Sequence, residues 1–369
     1  MKVLFSGGGT AGHINPALAI ANHLKDICGD FEARFVGTAE GLEVGLIPRS
    51  GYPLDLIKVH GFERKLSFGT VKTVAELPAA VAASKKIIKR FKPDIVVGTG
   101  GYVCGPVLYA AAKMKIPTFV HESNAFPGIT VKILSRYADK VAVGIEAAKQ
   151  YIPKAREVVY TGNPVRPSIL NVDSFAARRR LKLDSRPFIV IFGGSLGARD
   201  FNAAMADWIC SVASSAKYNI LMGTGKLNQY DKVMKRFSDN GVNLSSFPDI
   251  KISEYIYDMD IAMNAADLVV SRAGASTLAE LTAIGKPAVL VPSPYVTDNH
   301  QEHNARAIES GGGAKVILES ELSVERIDKT ICDIADNPTK LAEMRKASAL
   351  MGVPDSADKI CNEILKLVK

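Results

Sequence analysis

Three glycine turns carry most of the chemistry legible in the chain. Gly7-Gly8-Gly9-Thr10-Ala11-Gly12 fits the spacing G-x-G-x-x-G, and His13 follows it directly. Between a strand and a helix such a turn offers backbone N–H groups and a positive helix terminus to an anion or a sugar oxygen. Thr10, Ala11 and Gly12 are therefore candidate substrate contacts. Gly193-Gly194-Ser195-Leu196-Gly197 is a second turn, and Arg272-Ala273-Gly274-Ala275-Ser276-Thr277 a third, with Glu280 about one helical turn further on. Amides at a helix start can bind a diphosphate, and a carboxylate one turn inside can accept both hydroxyls of a ribose with its paired oxygens. Alone, Glu280 would read as a solvated helix glutamate. The Gly-Ala-Ser-Thr start ahead of it favours function.

Turns of this kind need strands to aim them. Lys2–Ser6 is a buried-strand run ahead of the first turn, and Pro16–Leu24 has helical spacing after it. Ala33–Gly37, Ile95–Gly98, Thr118–His121 and Lys140–Val143 follow, each separated by helix-like sequence, the pattern of a parallel α/β sheet. After Thr161-Gly162-Asn163-Pro164 the pattern restarts with Phe188–Phe192, Ile220–Met222, Lys251–Ser253, Leu268–Val270 and Ala288–Val291. The expected fold is α/β, two tandem Rossmann-like domains joined near residues 163–167. A nicotinamide or flavin site would also need a carboxylate at the tip of strand two. That strand ends Phe35-Val36-Gly37-Thr38 and Glu40 lies beyond it, which disfavours a dinucleotide.

A length of 369 residues suits two domains. With 47% hydrophobic and 23% charged residues, disorder and disulfide scaffolds are excluded. The five cysteines, Cys28, Cys104, Cys210, Cys332 and Cys361, form no CxxC pair and no metal spacing, the usage of a reducing compartment. The chain enters a strand at once, without the pattern of a signal peptide, and no apolar run reaches the roughly 18–20 residues of a bilayer span. A soluble, cytoplasmic protein is expected. Its charge of +8 is uneven: residues 1–165 hold 21 Lys and Arg against 13 Asp and Glu, whereas residues 166–369 hold 25 of each.

Seven stretches run in order along the chain: GGGTAGHINPALAIA from Gly7, VGTGGYVCGP from Val97, HESNAFPG from His121, GNPVR from Gly162, GGSLGARDFN from Gly193, SRAGASTLAELTAIGKPAVLVP from Ser271 and DNHQEHNA from Asp298. Together they resemble the MurG family, membrane-associated transferases that add N-acetylglucosamine to the lipid-linked muramyl-pentapeptide of cell-wall synthesis. The resemblance covers nearly the whole chain and implies a GT-B fold, two Rossmann-like domains facing across a cleft. The expected organisation is an acceptor- and membrane-facing domain over residues 1–163, a UDP-sugar domain over 164–350, and a C-terminal helix within 351–369 that packs back toward the first domain. Three positions depart from the family: Ala11 in the TGGH loop, Ser123 in the HEQN stretch, and Leu196 where a glutamine often follows the GGS serine.

The implied reaction is inverting transfer from UDP-N-acetylglucosamine to the muramyl 4-hydroxyl of an undecaprenyl-diphosphate-linked pentapeptide. It requires a base, stabilisation of the leaving diphosphate, and orientation. His13 is the candidate base, because an imidazole suits proton abstraction near neutrality; capping the helix or donating to a sugar hydroxyl is its alternative. Glu122 is the competitor, as base, as a group that orients His13, or as a partner of a buried amide. By the resemblance Arg166 reaches the diphosphate, where a guanidinium neutralises developing charge; an interdomain salt bridge is the alternative. Ser195 and the amides of Ala275, Ser276 and Thr277 would contact the same phosphates, Ile256 would meet the uracil through its backbone, and Glu280 would take the ribose hydroxyls. Gln301 and Asn124 would reach the sugar. No metal and no cofactor is expected: Asp258 and Asp260 read as a helix start, and His300 and His303 lack a third ligand.

Residues 61–92 hold eight Lys and Arg against two Glu among many apolar residues. Val81–Phe91 reads as a crossover helix with a core stripe, while Gly61–Leu77 is apolar enough to suggest docking on anionic inner-leaflet lipid. The expected location is peripheral, on the cytoplasmic face of the membrane. No nucleic-acid motif accompanies the charge. A UDP-sugar epimerase and a non-catalytic scaffold are the rival readings; His13, Arg166 and Glu280 argue against the scaffold.

Overall fold

Near-continuous β-branched and aromatic runs form strands covered on both faces by helices. The structure, a computed structural model, describes residues 1–61, 68–194, 196–226 and 229–368, with residues 68–74 by their backbone alone. It forms two units, Met1–Pro164 with Asp355–Lys369, and Val165–Pro354.

The first unit holds β1 Lys2–Ser6, β2 Glu32–Gly37, β3 Leu54–Leu56, β4 Ile95–Gly98, β5 Thr118–Glu122, β6 Lys140–Val143 and β7 Val158–Tyr160. They form one parallel sheet in the order β3-β2-β1-β4-β5-β6-β7. One face is filled by Val3, Phe5, Phe35 and Val97 against Ile14, Ile20 and Leu24 of the helix Ala11–Ile27. This helix begins five residues before Pro16, where the sequence pattern places its start. Inside the helix Pro16 has no N–H for the Gly12 carbonyl, which leaves that end of the first turn outside the regular ladder. The helix Ser356–Val368 returns to the same face, burying Ile360, Cys361 and Ile364. Lys140, at the foot of β6, is ion-paired with Glu363 of that helix. The first unit thus includes the end of the chain.

The second unit holds β8 Phe188–Phe192, β9 Asn219–Gly223, β10 Ile250–Ser253, β11 Leu268–Ser271, β12 Ala288–Leu290 and β13 Ala314–Val316. These are parallel in the order β10-β9-β8-β11-β12-β13. Its core lies on both faces, with Trp208 and Phe201 on one and Leu278, Leu281 and Ala305 on the other. The boundary falls at Pro164/Val165 on entry and Pro354/Asp355 on exit, each within a few residues of the proline-containing turns at Pro164 and Pro354. In the basic stretch, residues 62–67 and the side chains of 68–74 lie outside the described residues. The helix Phe68–Phe91 turns Ala80, Ser84, Ile87 and Ile88 inward and leaves Lys85, Lys86, Lys89 and Arg90 exposed.

Candidate active site

In each sheet the strand order reverses beside the first strand, and the loops at that point leave the sheet next to one another. In the first unit Ser6 of β1 is in register with Gly98 of β4, so the Gly7–Gly12 turn emerges beside Thr99-Gly100-Gly101. Thr99 Oγ1 donates to the His13 carbonyl at 2.7 Å. Gly100 lies under the imidazole, where a Cβ would come within 2.6 Å of His13 Cδ2. A Cβ on Gly101 would sit 2.4 Å from the Gly8 oxygen. Only glycines let these loops touch. His13 is half-buried, with Nδ1 3.1 Å from the Gly8 carbonyl oxygen and 3.3 Å from Thr10 Oγ1. A carbonyl can only accept, so Nδ1 carries a hydrogen, and in the neutral ring the lone pair is then on Nε2.

Glu122 ends β5 and is only 5% exposed. Its Oε1 accepts from the Asn124 backbone N–H at 2.8 Å and from Asn124 Nδ2 at 3.2 Å, and Oε2 accepts from Gly128 N at 3.3 Å. The carboxyl therefore braces its own loop. Burial pushes its pKa up to about 7, against the lowering effect of those hydrogen bonds. Beside it His121 is fully buried, with Nε2 3.2 Å from the Gly162 oxygen, and burial pushes it down to about 4, so it is neutral. Asn163 Nδ2 donates to the Ser123 carbonyl at 2.9 Å. Among the described residues His121 Nδ1, Ser123 Oγ and Asn163 Oδ1 have no partner, a rare concentration of buried unpaired polar atoms.

In the second unit Phe192 of β8 is in register with Ser271 of β11, which places the Gly193 and Gly274 turns side by side. Gly274 precedes the helix Ala275–Ala283, and its carbonyl accepts from Leu278 N at 3.0 Å. The amides of Ala275, Ser276 and Thr277 belong to the first turn, where no intrahelical acceptor exists. Ser195 lies outside the described residues; its neighbour Leu196 is 62% exposed. Glu280 and Arg166 meet as a bidentate pair, Nε to Oε1 at 2.5 Å and Nη2 to Oε2 at 3.0 Å. The Glu280 carboxylate holds the guanidinium above its ordinary pKa. Both partners belong to the second unit, so this ion pair is not an interdomain one. Ile256, three residues after β10, is buried, and its side chain packs against the end of β9, with Cδ1 3.0 Å from where a Gly223 Cβ would lie. Gln301 Oε1 accepts from Ser293 N at 3.0 Å, directing the amide NH2 the other way. It follows Asp298 and Asn299, two left-handed residues with φ of 54° and 50° that turn the chain into the helix His300–Ser310.

The structure thus gathers Thr10, Ala11, Gly12 and His13 at one switch point and the Gly193, Gly274 and Glu280 regions at the other. Asp258 stands at the N-cap position of the helix Met259–Ala265 without a side-chain capping bond, and its carboxylate pairs with Arg180 at 3.0 Å. Among the described residues no three His, Cys, Asp or Glu side chains gather as metal ligands. Reading the sequence alone gave Thr99, Gly100 and Gly101, within the stretch VGTGGYVCGP, no role at the site, although paired glycines directly after a strand were their signal. It also missed Glu43, fully buried beneath the first turn.

The glycosyltransferase family 28 N-terminal domain matches residues 3–143, and the family 28 C-terminal domain matches residues 188–360. The solved structure of Acinetobacter baumannii MurG superposes with a TM-score of 0.81 at 28% identity, covering 99% of each chain. An Acetivibrio thermocellus protein is 48% identical over 100% of this chain and 99% of its own length. It is named UDP-N-acetylglucosamine–N-acetylmuramyl-(pentapeptide) pyrophosphoryl-undecaprenol N-acetylglucosamine transferase. The chain belongs to the MurG family of glycosyltransferases. A relative of the same name from Bacillus cytotoxicus is 46% identical over the full length of both chains. The two parallel α/β units are therefore of the GT-B type, as the resemblance implied. A UDP-N-acetylglucosamine 2-epimerase from Neisseria meningitidis shares that fold at 15% identity and a TM-score of 0.66, a likeness of fold alone. Among the described residues no helix is long and apolar enough to cross a membrane.

Proposed function

We propose that this MurG-family glycosyltransferase moves N-acetylglucosamine, with inversion, from UDP-N-acetylglucosamine to the muramyl 4-hydroxyl of undecaprenyl-diphosphate-linked MurNAc-pentapeptide, a step of peptidoglycan synthesis. The observation that carries this reading is the 48% identity along the whole chain to a transferase named for that reaction. His13 serves as the base: its Nδ1 hydrogen is engaged by the Gly8 carbonyl, so in the neutral ring Nε2 is the nitrogen that takes the proton of the attacking hydroxyl. Thr10, Ala11 and Gly12 line the acceptor side. Glu122 holds the loop that presents Asn124 to the sugar.

On the nucleotide side, Ala275, Ser276, Thr277 and Ser195 receive the diphosphate, the Ile256 backbone meets the uracil, and Gln301 meets the sugar. Glu280 takes the ribose hydroxyls. Its oxygens are engaged by Arg166 in this structure, so the ribose displaces the guanidinium, whose side chain is 54% exposed and able to swing. Arg166 then turns to the diphosphate and stabilises the charge that develops as UDP leaves.

The enzyme works peripherally, at the cytoplasmic face of the membrane, with anionic lipid as a partner and no nucleic acid. Supporting this, an apolar cavity of about 530 Å³ opens in the first unit among Leu77, Pro78, Val81, Tyr109, Ile129 and Ile133. Ile129 and Ile133 are exposed, and the Lys113 ammonium lies over the Tyr109 ring. Labelled N-acetylglucosamine supplied as the UDP sugar, with a short-chain lipid-linked muramyl-pentapeptide, is expected to appear in the lipid product. Anionic vesicles are expected to retain the enzyme better than neutral ones. Absence of transfer under every lipid and detergent condition would sink the reaction; equal retention on both vesicle types would sink the anionic-lipid partner.

A further inference from the structure

Glu43 lies one residue beyond a bend after β2, opening the short helix Glu43–Arg49, and is completely buried. Its Oε1 accepts from the Thr38 backbone N–H and the Thr38 hydroxyl, both at 2.9 Å, and its Oε2 accepts from Gly9 N at 2.9 Å. Three glycines wall the carboxylate: a Cβ on Gly8, Gly37 or Gly41 would lie within 2.6 Å of a Glu43 side-chain atom. Burial pushes the Glu43 carboxyl up, and the hydrogens of Thr38 and Gly9 outweigh it, so the group is held below its ordinary value and is an anion. The site an anionic ligand would occupy at a glycine turn, against a backbone N–H, is thus filled from inside the protein at Gly9.

The consequence lies in one peptide group. The Gly9 N–H and the Gly8 carbonyl belong to the same planar unit, so fixing one fixes the other. Glu43 pulls on the N–H, and the carbonyl on the opposite edge points at His13 Nδ1, 3.1 Å away. Hydrogen bonds in series polarise one another, which makes this carbonyl a stronger acceptor than an unpaired one. We propose that Glu43 is a positioning residue for the transfer reaction, acting through the Gly8–Gly9 peptide to hold His13 in the tautomer whose Nε2 bears the lone pair. Glu43 touches no substrate. Its effect on turnover rests on the reading of His13 as the base, while its effect on the His13 tautomer does not.

Glu43→Gln isolates the relay. The glutamine oxygen can still accept from Thr38, but its NH2 would then face the Gly9 N–H, donor against donor. Imidazole ¹⁵N shifts of the full-length protein, assigned with His13→Ala, are expected to show Nδ1 protonated and Nε2 bare in the parent chain. In the variant they are expected to move toward the Nε2-protonated form. Turnover is expected to fall by about 10²-fold, the scale of a misplaced reacting group, with the nucleotide-sugar KM within about twofold. If Glu43→Gln does not fold, Glu43→Asp carries the same test, because it keeps the charge and withdraws it one methylene from Gly9. A folded variant that retains the parental His13 tautomer overturns the proposal. Near-normal turnover in His13→Ala instead overturns the base reading and leaves the relay standing.

Discussion

The two units solve the same topological problem and treat its product in opposite ways. Each is a parallel sheet whose order reverses beside its first strand, and each sends two glycine-bearing turns out of that point. In the first unit a buried carboxylate, Glu43, accepts the Gly9 N–H, and the turn is rigidly tied to Thr99, Gly100 and Gly101. In the second, among the described residues, no carboxylate accepts from a backbone N–H of the Gly193 turn or of Ala275–Thr277. The nearby anion there, Glu280, is held by an arginine side chain that is largely exposed and can let go. At the first switch point one amide, the Gly9 N–H, is already taken by an internal carboxylate, and a histidine is kept in place. Its counterpart keeps its amides and its cation available for an anion. A parallel α/β sheet supplies the site but does not choose the ligand; one buried carboxylate is enough to change what the turn can hold.

The contrast can be broken at four points. His13→Ala is expected to have the largest effect, a loss of about 10²–10⁴ in kcat with little change in the nucleotide-sugar KM. Steady-state kinetics with both substrates would expose a wrong assignment as turnover close to the parent's. Arg166→Ala comes next, with kcat lower by about 10²–10³ if it stabilises the leaving diphosphate; a change confined to KM would instead place it in ground-state binding. Glu280→Ala is expected to raise the nucleotide-sugar KM by about 10–10², the worth of charge-assisted hydrogen bonds, while the acceptor KM stays near the parent's. An unchanged nucleotide-sugar KM would remove Glu280 from the ribose.

The smallest effect concerns stability. Glu122, raised to about 7, keeps a proton in the folded state that the unfolded chain releases from about 4.5 upward, so its contribution declines as pH rises through that window. His121, lowered to about 4, does the reverse: below 6.5 the unfolded chain takes a proton that the folded state refuses, so stability rises with pH. The two slopes oppose each other between 4.5 and 6.5. Removing one by Glu122→Gln is expected to make Tm climb more steeply with pH there, by at most about 1.4 kcal/mol per pH unit in stability. Parallel Tm curves for parent and variant would show that Glu122 carries no such proton.

The strands that the residue pattern picks out are the central ones. Runs such as Val3–Phe5, Val96–Val97 and Ile189–Ile191 are buried on both faces, and burial imposes composition. The pattern overlooks β3, β7 and β13, because an edge strand of three residues has too few positions to show any period. The start of the first helix is also misplaced, since Pro16 imitates a first-turn proline. At the site, the glycine turns and the residues beside them were legible because backbone approach to a ligand restricts residue type. Glu43 was not, as a glutamate at a loop end looks the same from the sequence whether it faces water or amides. Nor was the Arg166–Glu280 pair, whose members stand 114 positions apart.

The sequence by itself determined the two-sheet α/β organisation, the placement of glycines where turns must leave the strands, and the membership of the family through seven ordered stretches. These are local properties, set by burial on both strand faces and by the absence of a Cβ. Tertiary structure alone decided which carboxylates are acceptors of backbone hydrogens and which are held in reserve. It joined Glu43 to His13 through a single peptide plane and set Glu280 against Arg166. Register is the physical reason in the first unit: pairing Ser6 with Val36 and with Gly98 sets the Thr38–Glu43 loop and the Thr99–Gly101 loop beside the Gly7–Gly12 turn, and only then does the Glu43 charge acquire its partner.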